Sequence, residues 1–175
     1  KLHLGLARSP VITAMFANSP LVEGRITEQR SHRALVWLDV DPDRTGLLPF
    51  AWADDFGYRD YVEWALDAPM FFVKRGETLV RNTGQRFREF LRDGYRGERA
   101  TRADWLTHLN TLFPEVRLQK TLEVRAADGQ PTPMVCALPA LAKGLVHDET
   151  ALARAEALVS TLDPDTVAAV RRPVA

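Results

Sequence analysis

Residues 116–126 read VRLQKTLEVRA, and this stretch decides the class of fold that the sequence predicts. Apolar residues stand at alternate positions from 116 to 126, and Lys120 is the only break in that register. Alternation with a period of two is typical of a strand that buries one face. We therefore predict one long half-buried strand, on which Glu123 and Arg125 share the polar face, roughly 6.8 Å apart.

On both sides of this strand, the sequence has the periodicity of helices. The expected helices cover about residues 2–17, 31–38, 56–66, 85–91, 103–112, 151–162 and 165–171. MFFVKRGETLV (70–80) predicts a hairpin with its turn at Arg75 and Gly76. PMVCALPALAKGL (133–145) is apolar almost all round, which predicts a buried helix. Many helices packed around a strand make the expected fold class α+β.

The composition limits the classes of protein to which the chain can belong. Its 175 residues contain 23 basic and 23 acidic side chains, which argues against a general nucleic-acid binder. No apolar run approaches the roughly 18 residues that a membrane span needs. The length predicts a single domain over residues 1–175, or a segment of a larger one. Cys136 is the only cysteine, so an intrachain disulfide is excluded and a reducing cytoplasm is the expected location.

Two pairs of residues are candidates for a functional site, and each has an alternative interpretation. Glu123 and Arg125 on one face of a strand suit an oxygen-liganded Mg²⁺ beside a guanidinium that binds phosphate. From spacing alone, the simpler interpretation is the solvated face of an antiparallel strand with an incidental ion pair. Arg33 and Trp37 lie four residues apart on one helix face, where the arginine could bind a substrate carboxylate. The alternative there is a surface arginine that lies on a tryptophan ring.

Several longer motifs carry a resemblance to a known family. ANSPLVEG (17–24), followed by Ser31, Arg33 and Trp37, resembles the ANSPxxxG…SxRxxxW signature of the glutamate–cysteine ligase superfamily. The rest of the chain resembles the plant and proteobacterial branch of that superfamily in DRTGLLPF (43–50), FGYRDYVEWALDAPMFF (56–72), DWLTHLNTLFPEVRL (104–118), LEVRAADGQP (122–131) and CALPALAKGL (136–145). The motifs occur in the family's order over nearly all of residues 5–160.

The resemblance implies an ATP-dependent ligase that joins the γ-carboxylate of glutamate to the amine of cysteine through γ-glutamyl phosphate, the first step of glutathione biosynthesis. It implies ATP and Mg²⁺ as cofactors, and part of a glutamine-synthetase-like catalytic domain in which a curved antiparallel sheet packs with helices. By position in the motifs, Glu123 is the expected metal ligand and Arg125 the expected phosphate-binding catalytic residue. Arg33 and Trp37 are expected at the substrate, with Arg33 on its carboxylate.

This sequence departs from the family pattern at two positions, and two alternatives remain open. Phe71 aligns with a substrate-contacting tyrosine of the plant enzymes, so it supplies only an apolar wall to the amino-acid pocket. Ala126 replaces a glycine, a change that a strand tolerates. A ligase of the same fold that uses another amine is one alternative, motivated by Phe71, and a non-catalytic binding or assembly module is the other. Asn18 and Ser19 are expected to form the turn that ends the first helix.

Members of this family are more than twice as long as this chain. Their first half supplies further strands of the sheet and most of the metal-binding carboxylates. The chain is therefore expected to be a segment of the ligase domain that lacks the N-terminal half of the family fold, and to be inactive or nearly so by itself. An exposed sheet edge would also favour self-association.

Overall fold

The computed structural model describes residues 1–172, in which helices predominate and strands are short. The α-helices are α1 (Leu2–Met15), α2 (His32–Asp39), α3 (Tyr58–Asp67), α4 (Phe87–Asp93), α5 (Arg102–Asn110), α6 (Ala137–His147), α7 (Glu149–Val159) and α8 (Pro164–Arg171). The strands are β1 (Leu21–Val22), β2 (Arg25–Ile26), β3 (Thr45–Gly46), β4 (Phe72–Arg75), β5 (Thr78–Arg81), β6 (Phe113–Pro114), β7 (Val116–Leu118) and β8 (Leu122–Val124). The mixture of helix and sheet confirms the α+β class.

Each strand has one partner. β1 with β2, β4 with β5 and β7 with β8 form antiparallel pairs of neighbouring strands. β3 and β6 are far apart in the sequence and pair in parallel, with Thr45 opposite Phe113 and Gly46 opposite Pro114. This parallel pair brings the loop after α2 beside the loop after α5, and the candidate site forms next to it. No helix in residues 1–172 is long and apolar enough to cross a membrane.

The prediction of one long strand over residues 116–126 is wrong, because the chain reverses in its middle. β7 and β8 pair as a hairpin in which Arg117 lies opposite Glu123. Lys120 lies in the turn, where the backbone N–H of Gln119 donates to the carbonyl of Thr121 over 3.0 Å. A three-residue turn keeps the parity of the alternation, because paired residues point to the same face. The break at Lys120 therefore marked a turn rather than a local irregularity.

α1 lies at the centre of the core and contacts elements on two sides. Its Leu4 and Ala7 pack against the buried residues Ala155, Val159 and Val167 of α7 and α8. Its Leu2 and Leu6 belong to a second buried cluster, whose other members are Leu48, Ala51, Tyr61 and Val116. A Cβ atom on Gly5 would lie 2.8 Å from a methyl group of Val116, so the close approach of α1 to β7 requires glycine there.

Most of the other predicted elements are confirmed, with two corrections. The turn of the β4–β5 hairpin falls on Gly76 and Glu77, because Arg75 still pairs with Thr78. The buried helix predicted over residues 133–145 is wrong in its burial: α6 begins at Ala137 and has no buried residue. An apolar sequence shows that a helix has hydrophobic surface, but it does not show which element covers that surface.

Candidate active site

A cleft opens beside the β3–β6 pair, and it collects three of the five predicted site residues. It is lined by Arg33 and Trp37 of α2, by Gly46 and Phe113 of the strand pair, and by Arg125, which follows β8. Ser31 is the N-cap of α2 and starts the helix so that residues 33 and 37 point to the same side. The sequence prediction that Arg33 and Trp37 share a face is confirmed.

Arg125 is held at the cleft by contacts on several sides. Its guanidinium carbon lies 5.5 Å from the ring centroid of Trp37 and 5.3 Å from that of Phe113, within the range of cation–π attraction. Its backbone N–H donates to the carbonyl of Glu115 over 3.0 Å. The side chain of Glu115 forms an ion pair with Arg171 of α8. The Arg125 side chain is 17% exposed, so the group is oriented while still accessible from the cleft.

Glu123 is bonded through both carboxylate oxygens to arginines. Its Oε1 accepts from Nη1 of Arg125 over 2.8 Å, and its Oε2 accepts from Nε of Arg117 over 2.8 Å. Nη2 of Arg117 also lies 2.6 Å from Oε2 and completes the ion pair. Burial by itself would raise the pKa of Glu123, but hydrogen bonds and charge attraction from Arg117 and Arg125 outweigh burial and lower the pKa below its usual value. The carboxylate is therefore ionised at neutral pH, and it fixes the direction of the Arg125 guanidinium.

Glu123 fits the role of one ligand to a hard cation such as Mg²⁺, but the described part of the chain does not supply a full ligand set. Oε2 accepts from Nε of Arg117 and also lies against Nη2 of that guanidinium, whereas Oε1 contacts only Nη1 of Arg125 and keeps a second acceptor position. Within residues 1–172 there is no group of three or more histidine, cysteine, aspartate or glutamate side chains that could hold a metal ion. Further ligands of a metal at Glu123 would therefore have to come from elsewhere.

Arg33 reaches over the backbone that carries Arg125. Its Nη2 donates to the carbonyl oxygen of Arg125 over 2.7 Å, and its Nη1 lies 3.8 Å from Oδ1 of Asp128. The side chain is 33% exposed, and its Nε–H has no partner within the described residues. Arg33 and Arg125 thus place two guanidinium groups at one cleft, which can bind a group with two or more anionic oxygens.

Phe71 is the predicted site residue that the structure places apart from the others. Among residues 1–172, it is not one of those that line the cleft. Its ring lies under the guanidinium of Arg44, with 3.6 Å between the guanidinium carbon and the ring centroid. Arg44 is buried, and its Nη2 donates to the carbonyl of Pro69 over 2.7 Å. The assignment of Phe71 to the amine substrate stays a prediction.

Sequence reasoning missed Asp128, although the residue lies inside one of the quoted motifs. The Asp128 carboxylate is buried and accepts hydrogen bonds from the backbone of Asn18 and from the hydroxyls of Ser19 and Ser31. The turn that ends α1 falls at Phe16 rather than on Asn18 and Ser19, which follow it and bind Asp128. An aspartate in an Ala-Asp-Gly turn after a strand was the only available signal, and such turns are common at surfaces.

Phe113 and Arg117 were missed as well. Phe113 contacts both Trp37, at 5.8 Å between ring centroids, and Arg125. Arg117 shares the Glu123 carboxylate with Arg125. Only the reversal of the chain at Lys120 brings Arg117 opposite Glu123, so a straight strand could not have indicated this pair.

Comparison with known proteins gives consistent matches over most of the chain. The model of the glutamate-cysteine ligase family 2 matches residues 1–172. Among curated proteins, the chloroplastic glutamate–cysteine ligase of Medicago truncatula is 48% identical over 157 residues, which cover 88% of this chain and 31% of the relative. The chloroplastic enzymes of Brassica juncea and Arabidopsis thaliana are 48% and 47% identical over 155 residues, which cover 87% of this chain and 30% of each relative.

These comparisons confirm the resemblance seen in the motifs and correct one expectation. The chain spans about a third of the length of these relatives. The expected cytoplasmic location is wrong on this comparison, because each of the three relatives is described as chloroplastic. A single cysteine indicates only that the chain forms no internal disulfide, and this property does not distinguish one reducing compartment from another.

Proposed function

Because the chain belongs to the glutamate-cysteine ligase family 2, we propose that the protein containing it joins the γ-carboxylate of glutamate to the amine of cysteine, the first step of glutathione biosynthesis. The observation that carries this proposal is the meeting of Arg33 and Arg125 at one cleft. Since the chain spans about 30% of its relatives, the proposal concerns the whole protein, in which residues 1–175 form a segment of the catalytic domain.

The two arginines suit the charges of such a reaction. The ligation activates a carboxylate with a phosphoryl group, so the site has to bind carboxylate and phosphate oxygens and stabilise the charge that moves between them. We assign Arg33 to the carboxylate of glutamate and Arg125 to the transferred phosphoryl group. Trp37 and Phe113 hold the Arg125 guanidinium in place, so little reorganisation is needed when the anion binds.

ATP and Mg²⁺ belong to the proposal as the phosphoryl donor and its metal ion. When bound, Mg²⁺ supplies positive charge that neutralises phosphate oxygens during transfer. Glu123 would hold the ion through the remaining acceptor position of Oε1, together with ligands from outside this chain. We further propose that the β7–β8 hairpin belongs to the curved antiparallel sheet of a glutamine-synthetase-like domain.

The first experiment measures ADP release by the purified full-length protein with Mg-ATP and glutamate, before and after the addition of cysteine. We expect cysteine to stimulate ADP release about tenfold or more, because the amine consumes the acyl phosphate and frees the site for another turnover. The 175-residue chain by itself is the matched control and should release little or no ADP. Absence of release with every amine tested would contradict the ligase proposal and favour a binding or assembly module.

A second candidate differs only in the amine substrate. Phe71 lacks a hydroxyl, and one face of its ring packs on the guanidinium of Arg44, so it offers the amine substrate at most an apolar surface. A site that lacks a hydrogen-bonding group discriminates weakly between amines of similar shape. The same assay with a panel of other amino acids and amines separates the two candidates. Stimulation by one of these amines, and not by cysteine, would support the ligation reaction but identify a different amine substrate.

Arg33→Gln is expected to raise the KM for glutamate roughly 10- to 100-fold, since hydrogen bonds to charged groups contribute about 1.5–3 kcal/mol. The KM for ATP should change much less. Steady-state kinetics of the full-length protein measure both constants, and Arg30→Gln is the matched control, because Arg30 is exposed three residues earlier. An unchanged KM for glutamate would remove Arg33 from the substrate site.

A further inference from the structure

The buried carboxylate of Asp128 is hydrogen-bonded to two segments near the start of the chain, one at Asn18 and Ser19 and the other at Ser31. Its Oδ2 accepts from the backbone N–H of Asn18 over 2.8 Å and from the hydroxyl of Ser19 over 2.7 Å. Its Oδ1 accepts from the hydroxyl of Ser31 over 2.9 Å. The Asp128 side chain is 1% exposed. The carboxylate therefore binds other parts of the chain rather than solvent, and it has no access to a substrate.

The two serine hydroxyls continue this network into the first turn of α2. The Ser19 hydroxyl accepts from the backbone N–H of Arg33 over 3.1 Å, and the Ser31 hydroxyl accepts from that of Ala34 over 3.2 Å. These are amides that a helix cannot satisfy internally. Asp128 thus binds the N-terminus of α2 through two hydroxyl bridges, and a negative charge is favourable at that end of a helix.

α2 carries both Arg33 and Trp37, so its orientation sets the position of two groups at the cleft. Nη1 of Arg33 also lies 3.8 Å from Oδ1 of Asp128. From these contacts, and resting on the proposed function, we infer that Asp128 is a positioning residue: it fixes α2 and thereby places the Arg33 guanidinium for the carboxylate of glutamate. Asp128 acts through Arg33 and does not touch the reacting atoms.

Asp128→Asn tests the charge with little change in shape. An asparagine can keep its oxygen toward Asn18 and Ser19 while its amide nitrogen faces the Ser31 hydroxyl, which can rotate to accept. The variant keeps most of the network and loses the charge beside Arg33 and the α2 N-terminus. In the full-length protein we expect the KM for glutamate to rise about fivefold to tenfold, with a smaller change in kcat and in the KM for ATP.

Asp104→Asn is the matched control. The Asp104 side chain is 4% exposed, nearly as buried as that of Asp128, and it accepts hydrogen bonds from the backbone and hydroxyl of Thr101 at the start of α5. Its charged partner is Arg75, which does not line the cleft among the described residues. We expect both variants to lower the melting temperature, but only Asp128→Asn should raise the KM for glutamate. An equal loss of stability with an unchanged KM in both variants would make Asp128 a purely structural residue and overturn the inference.

Hydrogen exchange separates a failure of this inference from a failure of the proposed function, because it needs no turnover. Loss of the Asp128 charge should speed exchange of the backbone amides of Arg33 and Ala34, and Ser31→Ala should do the same if Asp128→Asn does not fold. If these amides exchange faster in the variant but the full-length protein shows no ligase activity, the anchoring of α2 by Asp128 is supported and the proposed reaction is contradicted. Unchanged exchange at both amides would reject the anchoring itself.

Discussion

Arg125→Gln in the full-length protein is expected to lower kcat for the ligation about 100- to 1,000-fold, the loss found when one preorganised donor to transition-state charge is removed. Arg125 is oriented by Glu123 on one side and by the rings of Trp37 and Phe113 on the other. The substitution removes the charge, but it leaves the Arg125 carbonyl that receives Nη2 of Arg33. Arg33 should therefore stay in place, and the KM for glutamate should change less than kcat.

Two further variants give this expectation its controls. Arg117→Gln breaks the other ion pair of Glu123, but among the described residues Arg117 does not line the cleft, so kcat should fall by less than about tenfold. Arg125→Lys keeps the charge and loses the planar group that packs on two rings, so its kcat should lie between those of wild type and Arg125→Gln. A kcat of Arg125→Gln within threefold of wild type would exclude Arg125 from catalysis.

The strand over residues 116–126 shows what periodicity can predict and where it fails. The alternation correctly placed Glu123 and Arg125 on one face, and their side chains do meet at 2.8 Å. It could not show the reversal at Lys120, because a three-residue turn preserves the alternation and QKT contains no glycine, proline or asparagine to signal a turn. Local spacing therefore predicted one ion pair and missed its second partner on the neighbouring strand.

The helices that carry the site were predicted more completely, because their signals are local. Ser31 before an apolar run indicated the start of α2, and the spacing of Arg33 and Trp37 indicated a shared face. The anchoring of α2 by Asp128 could not be predicted in this way. It depends on bonds between residues about a hundred positions apart, and a single sequence contains no local pattern for such contacts.

Long-range packing also explains the contacts of Arg125 that the motifs did not indicate. Phe113 reaches the cleft because β6 pairs in parallel with β3, and no spacing rule connects Thr45 with Phe113. The same pairing brings Glu115 close to Arg171 of α8, so the segment behind Arg125 is fixed by a helix near the end of the chain. The family motifs indicated Arg33, Trp37 and Arg125, whereas the tertiary fold brings Phe113 to the same cleft.

Glu123→Gln is expected to lower ligation at least 100-fold and to change its dependence on Mg²⁺. Loss of a supporting group around a metal ion already costs about 10- to 100-fold in metal affinity, so loss of an oxygen ligand should raise the Mg²⁺ concentration for half-maximal activity by at least about tenfold. The amide also cannot neutralise Arg117 and Arg125 together. Initial rates of the full-length protein across a series of Mg²⁺ concentrations, at saturating ATP and glutamate, measure both effects.

The Mg²⁺ dependence is decisive because Glu123 has two possible roles that both reduce activity. If Glu123 served only to orient Arg125, Glu123→Gln would resemble Arg125→Gln, with a lower kcat and an unchanged requirement for Mg²⁺. If Glu123 is a metal ligand, excess Mg²⁺ should restore part of the lost activity in Glu123→Gln and none in Arg125→Gln. Arg117→Gln leaves the carboxylate ionised and bound to Arg125, so its Mg²⁺ dependence should match that of the wild type. An unchanged Mg²⁺ requirement in Glu123→Gln would therefore show that Glu123 is not a metal ligand and that it acts only through its ion pair with Arg125.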